Sequence, residues 1–471
     1  MTRRALLALA LGLWAVAAPA AEGRLLVVRP ARALAALAPS PSGVWFAVVP
    51  PEPWQPHAEA PPVFIPVEAG GRKAAGSVVI GHWGRRGVDR LAALPGDLAL
   101  GGRRAYGVSG MAADGGTVWL TGPLVLPERP IGRYFLAHLD AAGGTEVAVD
   151  AGPAAVAVAA RAGTVYVARN PEPGTPVPVA ALARHGGWTA RLPVAGTAPF
   201  FSWTPGPGIA AAAGGVLAAA RFHGSVRVAG AEARSPAPGE MPILGTLPPP
   251  ALEALRRLLA SGSLPPLPAA LVVHLDAGGR LRWLDTVTPD AVRVGGTAGG
   301  GGMDPARIDG FPVLAADGAG RAYLVGRYVH AVRSGDRRIV VEEAAADETH
   351  CFAASWEPDG SLRWLRDVPG CRGEVIGLAA GGGRLVAVTA QEALALDAGT
   401  GTLRGRRPLP RARRTDRPPE LRWTAAAVAG GRLLLGGTFR GKAELLGQRL
   451  DEPRTVAVVA ELPLEVAGAG P

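Results

Sequence analysis

The segments LVVHLDAGGRLRWL (residues 271–284) and FAASWEPDGSLRWL (residues 352–365) share one pattern, from which the fold can be predicted. In each, alternating apolar residues lead to an acidic residue, a Gly turn follows, and apolar residues resume with a Trp at the matching place. Apolar residues with a period of two on both sides of a Gly or Asp turn are typical of a β-hairpin. FLAHLDAAGGTEVAV (135–149) and ALALDAGTGTLRGRRPL (393–409) are further copies, so the sequence predicts repeated hairpins.

A second unit is a Gly-rich turn that leads into an apolar strand. Its copies are DGGTVWLTG (114–122), AGTVYVAR (162–169), GGVLAAARFHG (214–224), DGAGRAYLVGRY (317–328), GGGRLVAV (381–388) and GGRLLLGGTFRG (430–441), with GVWFAVV (43–49) as a degenerate copy. Between the markers Val118, Val165, Val216, Ala322, Leu385 and Leu433, the spacings are 47, 51, 106, 63 and 48 residues. The spacing of 106 is about two periods, which predicts one hidden copy in that interval.

The period of the two units predicts the architecture. A repeat of about 50 residues that contains several short strands is typical of propeller blades. The two units alternate, so one four-stranded blade would contain one of each. We therefore predict an all-β fold, a β-propeller of four-stranded blades that forms a single domain over residues 21–471. We expect six to eight blades, with seven as the best estimate, because a lone blade cannot cover both of its faces and ring stacking buries them.

Two stretches carry a family resemblance. GRLLLGGTFRGKAELLGQRL (431–450) and the hairpin FAASWEPDGSLRWLRDV (352–368) resemble the β-propeller repeats of exported bacterial proteins. In that family a strand ending Gly-x-Phe precedes a short Gly-linked strand, as in Gly437-Thr438-Phe439-Arg440-Gly441. ALALDAGTGTLRGRRPL (393–409) resembles one repeat of the quinoprotein-type propeller, and it departs from that repeat at Gly405, where a Trp is expected. The resemblance covers patches between about residues 110 and 460 and implies a propeller rather than a particular activity.

One insertion interrupts the repeats. Residues 235–270 are rich in Pro and enclose PALEALRRLLASG, where Leu252, Leu255, Leu258 and Leu259 have helical spacing. We predict one short amphipathic helix there. Loops are expected at NPEPGTPVPVA (170–180), GGTAGGGGM (295–303) and RARRTDRPPE (411–420). Because long loops on a rigid ring often carry function, these segments are the candidate sites.

The first twenty residues have the parts of a secretory signal peptide. Arg3 and Arg4 form the positive end, ALLALALGLWAVAA (5–18) is apolar, and Ala18-Pro19-Ala20 fits signal peptidase. We predict cleavage after Ala20 and a periplasmic or secreted mature chain. A helix of about 14 residues reaches roughly 21 Å, less than the 30 Å or so of a bilayer core, and we expect no later membrane-spanning segment.

Charge and composition limit the partners. The formal net charge is +10, yet Lys73 and Lys442 are the only lysines, and the arginines are scattered apart from Arg406-Arg407 and the group Arg411, Arg413, Arg414. Nucleic-acid binding requires a basic face rather than a basic total. We therefore expect no nucleic-acid partner. The expected partner is an unidentified protein or polysaccharide, and the chain is expected to be a monomer.

Cys351 and Cys371 are the only two cysteines. An even pair in an exported chain predicts a disulfide. The turn Pro358-Asp359-Gly360 lies midway between them, so a hairpin would bring the two cysteines together. The bridge would close a loop of about 20 residues and contribute roughly 3 kcal/mol.

Catalytic and metal-binding patterns are not found in the sequence. The eight histidines lack the His-x-His and His-x-x-x-His spacings of zinc sites, and His138 and His274 occupy matching repeat positions, which favours a structural role. Asp140, Asp276, Asp359 and Asp397 recur at turns, where a carboxylate caps backbone amides. Trp283, Trp356 and Trp364 are interpreted as packing between blades. The catalytic residues are unknown, and we expect neither cofactor nor metal.

These observations favour a binding or scaffold module whose ligand is unknown. One alternative is an enzyme with a composite site at the propeller channel, either a quinone-dependent dehydrogenase or a hydrolase or lyase. A further alternative is a structural protein of the cell envelope. A cluster of His, Asp and Arg in the channel would favour an enzyme, whereas a smooth channel beside an apolar or basic loop-rich face would favour binding.

Overall fold

A computed structural model of the chain consists of sheets that are antiparallel except for one short strand pair, with one α-helix in the residues that it describes. Those residues are 23–464, except for 52–63, 95–103, 106, 127–128, 141–144, 149–154, 172–178, 263, 295–302, 342–347, 372 and 415–418. The predicted signal peptide, residues 1–20, lies outside them. No helix in this part of the chain has the length and apolar character needed to cross a bilayer.

The strands are short and follow the predicted period. The first are β1 (Arg24–Arg29), β2 (Ala33–Ser40), β3 (Gly43–Val49), β4 (Val67–Ala69), β5 (Arg72–Ala74), β6 (Val79–Gly84), β7 (Gly87–Ala93), β8 (Arg104–Ala105), β9 (Gly110–Asp114), β10 (Thr117–Leu126), β11 (Arg129–Leu139) and β12 (Thr145–Ala148). Next come β13 (Ala155–Arg161), β14 (Thr164–Arg169), β15 (Val179–Arg184), β16 (Thr189–Trp203), β17 (Ile209–Ala212), β18 (Gly215–Val228), β19 (Ala231–Arg234), β20 (Ile243–Leu244), helix α1 (Pro249–Ala260), β21 (Ala269–Asp276) and β22 (Leu281–Pro289).

The remaining strands complete the chain. They are β23 (Val292–Val294), β24 (Met303–Pro305), β25 (Arg307–Ala316), β26 (Ala322–Val329), β27 (Ala331–Ser334), β28 (Arg337–Val340), β29 (His350–Trp356), β30 (Leu362–Val368), β31 (Val375–Gly381), β32 (Arg384–Thr389), β33 (Glu392–Asp397), β34 (Leu403–Pro408), β35 (Arg413–Arg414), β36 (Glu420–Ala429), β37 (Arg432–Leu445) and β38 (Gln448–Pro463).

Seven sets of four antiparallel strands form the blades of a propeller, which confirms the predicted fold class; additional strands extend some of these sheets, and β16 of blade 3 also pairs with β18 of blade 4. In order from the inner to the outer strand they are blade 1 (β2, β3, β6, β7), blade 2 (β9–β12), blade 3 (β13–β16), blade 4 (β17, β18, β21, β22), blade 5 (β25, β26, β29, β30), blade 6 (β31–β34) and blade 7 (β36, β37, β38, β1). Each inner strand contacts the inner strands of both neighbouring blades, and β36 contacts β2, so the ring is closed.

The N-terminal strand closes the ring. β1 supplies the outer strand of blade 7 by pairing antiparallel with β38, from Arg24 opposite Glu461 to Val28 opposite Ala457. Blade 7 therefore contains both ends of the described chain. The ring opens only when these two strands separate. Its closure therefore depends on backbone hydrogen bonds between distant parts of the sequence.

The hydrophobic core is divided among the blade interfaces. Seven clusters of buried side chains in the described residues each join one blade to the next. Alternate residues of a strand point to opposite interfaces: Val216, Ala218 and Ala220 of β18 pack toward blade 3, whereas Leu217 and Ala219 pack toward blade 5. Because both faces of a blade are buried in this way, a blade is not expected to fold alone.

A tryptophan and a glycine recur at three successive blade interfaces. Trp188 packs on Gly279, Trp283 on Gly360 and Trp364 on Gly401; a Cβ at these glycines would lie 2.4, 2.5 and 2.7 Å from the ring. The indole N–H groups donate to the turn carbonyls of Ala277, Pro358 and Ala398 at 2.8, 3.1 and 3.2 Å. Trp283 and Trp364 lie on the outer strands of their blades and Trp188 directly precedes one, and each packs on the turn before the outer strand of the next blade.

This arrangement explains the departure at Gly405. Gly405 lies on β34, the outer strand of blade 6. Trp283 and Trp364 occupy the same position in the outer strands of blades 4 and 5. In blade 7 the outer strand is β1, so no turn connects it to β38. A tryptophan at position 405 would therefore have no turn glycine on which to pack.

The predicted turn chemistry is present at the third-to-fourth strand turns. The Oδ1 atom of Asp276 accepts the backbone N–H groups of Gly278 and Arg280, each at 2.9 Å. Asp359 accepts the N–H of Ser361 at 2.9 Å, and Asp397 accepts that of Gly399 at 2.9 Å. These carboxylates satisfy amides that the sheet leaves unpaired.

The hidden repeat predicted between Val216 and Ala322 is wrong. Val216 lies on β18 of blade 4 and Ala322 on β26 of blade 5, so these markers belong to consecutive blades. The segment GVWFAVV (43–49), taken as a degenerate copy, is β3 of blade 1. The long spacing comes from segments inserted into blade 4 and between blades 4 and 5.

Candidate functional site

The two faces of the ring differ in their connections. On one face, two-residue turns join the first strand of most blades to the second, and Gly382-Gly383 and Gly430-Gly431 have the positive φ angles that such turns require. We call this the tight-turn face. The opposite face carries the connections between second and third strands and those between blades, including residues 229–268 and 330–349. We call it the loop-rich face.

Three insertions on the loop-rich face pack into one unit over blades 4 and 5, which we call the annex. It comprises the described residues of 231–267, 290–306 and 330–341. β20 pairs parallel with β23, β23 pairs with β24, and β27 extends the end of β22. A core of its own buries Met241, Leu255, Leu259, Val292 and Val294. The helix predicted within 235–270 is therefore present as α1, and it docks on segments that the sequence pattern did not connect to it.

Buried polar groups hold the insertions of the annex together. The carboxylate of Asp290, 3% exposed, forms ion pairs with Arg333 and Arg338, and the Arg338 guanidinium also donates to the Asp290 carbonyl at 3.1 Å. Two arginines on the β27–β28 hairpin thus hold the connection that follows blade 4. A carboxylate buried this deeply is stable as an anion only when paired in this manner.

Two further contacts extend this anchoring. His330, fully buried, has Nε2 at 3.0 Å from Oδ2 of Asp304, and Arg307 pairs with the same carboxylate at 3.0 Å. Asp285, on β22, accepts the indole N–H of Trp356 at 2.6 Å and the hydroxyl of Ser334 at 3.0 Å. The annex is therefore a fixed platform rather than a loose loop.

Large apolar side chains are exposed on the loop-rich face. Among the described residues they are Ile65, Val179, Phe200 and Leu258, which are 41%, 37%, 40% and 46% exposed. Ile65 lies in the connection between β3 and β6, Val179 begins β15, Phe200 lies near the end of β16, and Leu258 is on α1. Each of these positions belongs to the loop-rich side of its blade. All four lie on this one face, and no large apolar side chain of the described residues is exposed on the tight-turn face.

Helix α1 has two apolar sides. Leu255 and Leu259 face the annex core, whereas Ala251, Ala254 and Leu258 are exposed at a spacing of three and four residues. That spacing places the three exposed residues on one side of the helix. The sequence pattern grouped Leu258 with the buried leucines, and the structure corrects this: Leu258 points to solvent.

The central channel is lined mainly by apolar residues, many of them alanines. Its volume is about 590 Å³, and the wall includes alanine pairs at 112–113, 159–160, 210–211, 315–316 and 379–380. Charged and histidine side chains are absent from this lining in the described part of the chain. These alanine pairs could be found in the sequence, because each precedes the Gly turn of the second unit. Their small side chains let the seven inner strands approach a common axis.

A hydrogen-bonded series of Ser, His and Asp side chains crosses blade 1. His82 Nε2 lies 2.9 Å from Ser40 Oγ, and His82 Nδ1 lies 2.7 Å from Asp89 Oδ1. These distances match a hydrolytic triad, but the burial is reversed: Ser40 and His82 are 9% and 4% exposed, whereas the Asp89 side chain is 56% exposed. In a hydrolytic triad the carboxylate is buried and the serine is accessible. We interpret this series of hydrogen bonds as a structural link between β2, β6 and β7. The Trp45 ring packs against the imidazole, with 4.8 Å between the ring centroids.

The other residues singled out in the sequence do not converge. His138 lies in blade 2, beside Trp119 with 4.6 Å between ring centroids, and His274 lies in blade 4, beside Trp283 at 5.7 Å. Burial lowers the pKa of His274, and the nearby Arg282 lowers it further. Within the described residues, no group of three or more His, Cys, Asp and Glu side chains is placed to hold a metal.

The two cysteines lie at the loop-rich end of blade 5. Cys351 is on β29, Cys371 follows β30, and the structure joins them by a disulfide with 5.7 Å between Cα atoms. Their exposures are 1% and 3%. The β29–β30 hairpin brings them together in the manner that the sequence pattern suggested.

Comparison with solved structures finds propellers at low similarity. BamB from Moraxella catarrhalis is 13% identical with a TM-score of 0.35, and the match covers 92% of this chain and 97% of that one. The quinohemoprotein alcohol dehydrogenase ADHIIG from Pseudomonas putida HK5 is 12% identical with a TM-score of 0.36, covering 94% of this chain and 78% of that one. Neither a protein-family model nor a curated protein matches the chain.

Proposed function

We propose that this chain is an exported propeller that binds a protein partner through its loop-rich face, with the annex as the main contact. The observation that carries the proposal is the position of Ile65, Val179, Phe200 and Leu258, the large apolar residues exposed in the described part of the chain, on that one face. Export rests on the predicted signal peptide and cleavage after Ala20.

The exposed side of α1 has the chemistry of a contact site. Burying a leucine such as Leu258 against a partner contributes about 1.5–3 kcal/mol. Ala251 and Ala254 on the same side allow a partner backbone to approach closely, and Arg256 adds an exposed cation at the edge. The small core beneath the helix fixes its position, which reduces the entropy lost on binding.

A protein is favoured over a polysaccharide. Sugar-binding surfaces present exposed aromatic rings to the apolar faces of sugars, and Trp supplies the largest ring. The tryptophans in the described residues are buried or half-buried, so no indole of this part of the chain is exposed for stacking. The exposed set is mainly aliphatic, which suits a hydrophobic protein contact.

The channel gives little support to the enzyme alternatives. A charged substrate or cofactor in the channel would find no countercharge among the described residues of its wall. The inner strands are also sheet edges whose free backbone groups face the axis and require solvation. This wall therefore suits a structural channel better than a catalytic one.

Site-specific photo-crosslinking in the cells that produce the protein tests the proposal. A benzoylphenylalanine replaces Leu258 or Phe200 on the loop-rich face, and Arg86, exposed on the tight-turn face, is the control position. We expect one discrete protein adduct from the first two positions and none from the third. Leu258→Asp should weaken the adduct at position 200 without changing the melting temperature. Adducts from position 86 alone, or none from either loop-rich position, would contradict the proposal.

A further inference from the structure

A groove on the tight-turn face lies where the ring closes, between blades 7 and 1. Its volume is about 350 Å³. One wall comes from the ends of β1, β37 and β38, with Arg24, Arg432 and Glu461, and the other comes from the β2–β3 and β6–β7 turns, with Ser42 and Arg85. Its apolar floor consists of Val44, Trp83 and Leu434. Neither the annex nor the exposed apolar residues reach this face.

The groove carries more positive charge than its own carboxylate can balance. Arg24 Nη1 lies 2.9 Å from Glu461 Oε2, and Arg432 Nε lies 3.1 Å from Glu461 Oε1, so one carboxylate is shared by two arginines. Arg85, exposed on the opposite wall, has no acidic partner among the described residues. Among the residues that line the groove, three guanidinium groups against one carboxylate leave a surplus of two positive charges. The Asp89 carboxylate lies beside Gly84, behind this lining, and contacts His82 Nδ1 at 2.7 Å.

The side chains that line the groove differ in how many of their hydrogen-bond donors are already used. Arg24 is fixed, because its second nitrogen donates to the Gly84 carbonyl at 2.7 Å and its guanidinium lies 4.5 Å from the centre of the Trp83 ring. Arg432 uses Nε for Glu461, which leaves its terminal nitrogens for another acceptor, and its side chain is 50% exposed. Arg85 and Ser42 lie across the groove from it. The Ser42 hydroxyl lies 3.3 Å from His82 Nε2 and 3.5 Å from Ser40 Oγ, so it would turn from these partners to reach an anion. Two planar guanidinium groups and a hydroxyl offer the fork-shaped donors that a tetrahedral oxyanion accepts.

From this geometry we infer a binding site for a phosphate group, held between Arg85 and Arg432 with the Ser42 hydroxyl as a third donor. A phosphate monoester carries a charge of about −1.5 to −2 at neutral pH, which matches the surplus in the groove. The groove is larger than a phosphate ion, and its apolar floor leaves room for the esterified group. The phosphate could belong to a soluble ester or to a lipid headgroup, and the site would recognise the same chemistry in both.

The first test uses inorganic phosphate and the full mature chain. Phosphate should raise the melting temperature relative to sodium chloride at equal ionic strength, because a ligand that binds only the folded state stabilises it. Arg85→Ala and Arg432→Ala should each weaken binding, measured by calorimetry, by roughly tenfold, the loss expected for one charge-assisted contact. The matched control is Arg384→Ala, since Arg384 follows the Gly382-Gly383 turn of blade 6 as Arg432 follows Gly430-Gly431 of blade 7.

A gain-of-binding variant separates a phosphate site from a merely structural ion-pair group. Glu461→Gln removes the carboxylate that competes for Arg24 and Arg432, so it should tighten phosphate binding several-fold even if it lowers the melting temperature. Sedimentation with vesicles that contain phosphatidic acid, whose headgroup is a phosphate monoester, distinguishes the two sources. Vesicle binding lost in Arg432→Ala identifies a lipid headgroup, and phosphate binding without vesicle binding identifies a soluble ester. The inference is overturned if phosphate and chloride act alike, or if Arg384→Ala weakens binding as much as Arg432→Ala.

Discussion

The interface between blades 5 and 6 gives the most direct test of how neighbouring blades hold each other. Trp364 is 4% exposed, its ring packs on Gly401, and its indole N–H donates to the Ala398 carbonyl at 3.2 Å. Trp364→Ala removes a large buried ring from the core and should lower the free energy of unfolding by about 3–5 kcal/mol. Trp364→Phe keeps most of the ring but loses the hydrogen bond. Because Arg363 also donates to Ala398 at 3.0 Å, that carbonyl stays paired, and we expect a cost of about 1 kcal/mol.

A double-mutant cycle with Gly401 isolates the contact itself. Gly401 has a φ of 74°, and a Cβ there would lie 2.7 Å from the Trp364 ring. Gly401→Ala in the wild-type background therefore carries a backbone cost of about 1–2 kcal/mol and, in addition, the cost of displacing the ring. In the Trp364→Ala background the ring is absent, so only the backbone cost should remain. The measurement is urea unfolding followed by circular dichroism with the disulfide intact, and additive costs within about 0.5 kcal/mol would refute the reasoning.

Three other predictions follow from the described geometry. Replacing both Cys351 and Cys371 by Ser should reduce the free energy of unfolding by about 3 kcal/mol, and equal urea midpoints for the wild type with and without reductant would contradict a structural bridge. A fluorophosphonate serine probe should leave Ser40 unmodified in mass spectra, because the hydroxyl is buried. Labelling of Ser40 would show that Ser40, His82 and Asp89 are catalytic and not only a structural link. The pKa of Asp397 is lowered by the Arg404 guanidinium, and that of Asp276 by the Arg280 backbone N–H. A lowered carboxyl pKa stabilises the folded state above the unfolded value of about 3.9, and this contribution is lost as the pH falls through the folded value, so melting temperatures should drop below about pH 4 and drop less steeply in Asp397→Asn.

The ring could be predicted from the sequence because its units are local. A hairpin such as 352–365 needs only neighbouring residues to define its strands and turn, and the same pattern recurs in several blades. The Gly-turn unit marks the second strand of each blade, including the degenerate copy at 43–49. Local repetition therefore gave the fold class and the central estimate of seven blades.

Features that depend on distant residues were not visible. The annex joins α1 to Val292 and Val294, which follow it by more than thirty residues and carry no matching pattern. The same insertions produced the spacing of 106 residues that suggested a hidden copy. Leu258 has the helical spacing of a core residue, and only the packing of α1 shows that it faces solvent.

The candidate sites also depend on contacts between residues that are distant in the sequence. The cationic groove depends on the pairing of β1 with β38, which sets Arg24 beside Glu461 across nearly the whole chain. The Ser40–His82 contact joins residues of different strands with no spacing rule. By contrast, the turn residues Asp276, Asp359 and Asp397 and the interblade residues Trp283 and Trp364 were identified from the sequence, because each lies within or next to its own hairpin. The turn after Asp140 lies outside the described residues, and Trp188 was not predicted.

Closure of the ring by the N-terminal strand is the claim on which the faces, the groove and the cores all depend. Leu26 of β1 lies opposite Val459 of β38, and directly opposed residues of antiparallel strands have Cα atoms about 4.5–5.5 Å apart, within the range of a disulfide. In the variant Leu26→Cys, Val459→Cys, oxidation should link the two peptides completely, as mapped by mass spectrometry, and leave the melting temperature equal or higher. If the two cysteines remain reduced under conditions in which Cys351 and Cys371 are linked, β1 does not close blade 7 and the closed ring is wrong.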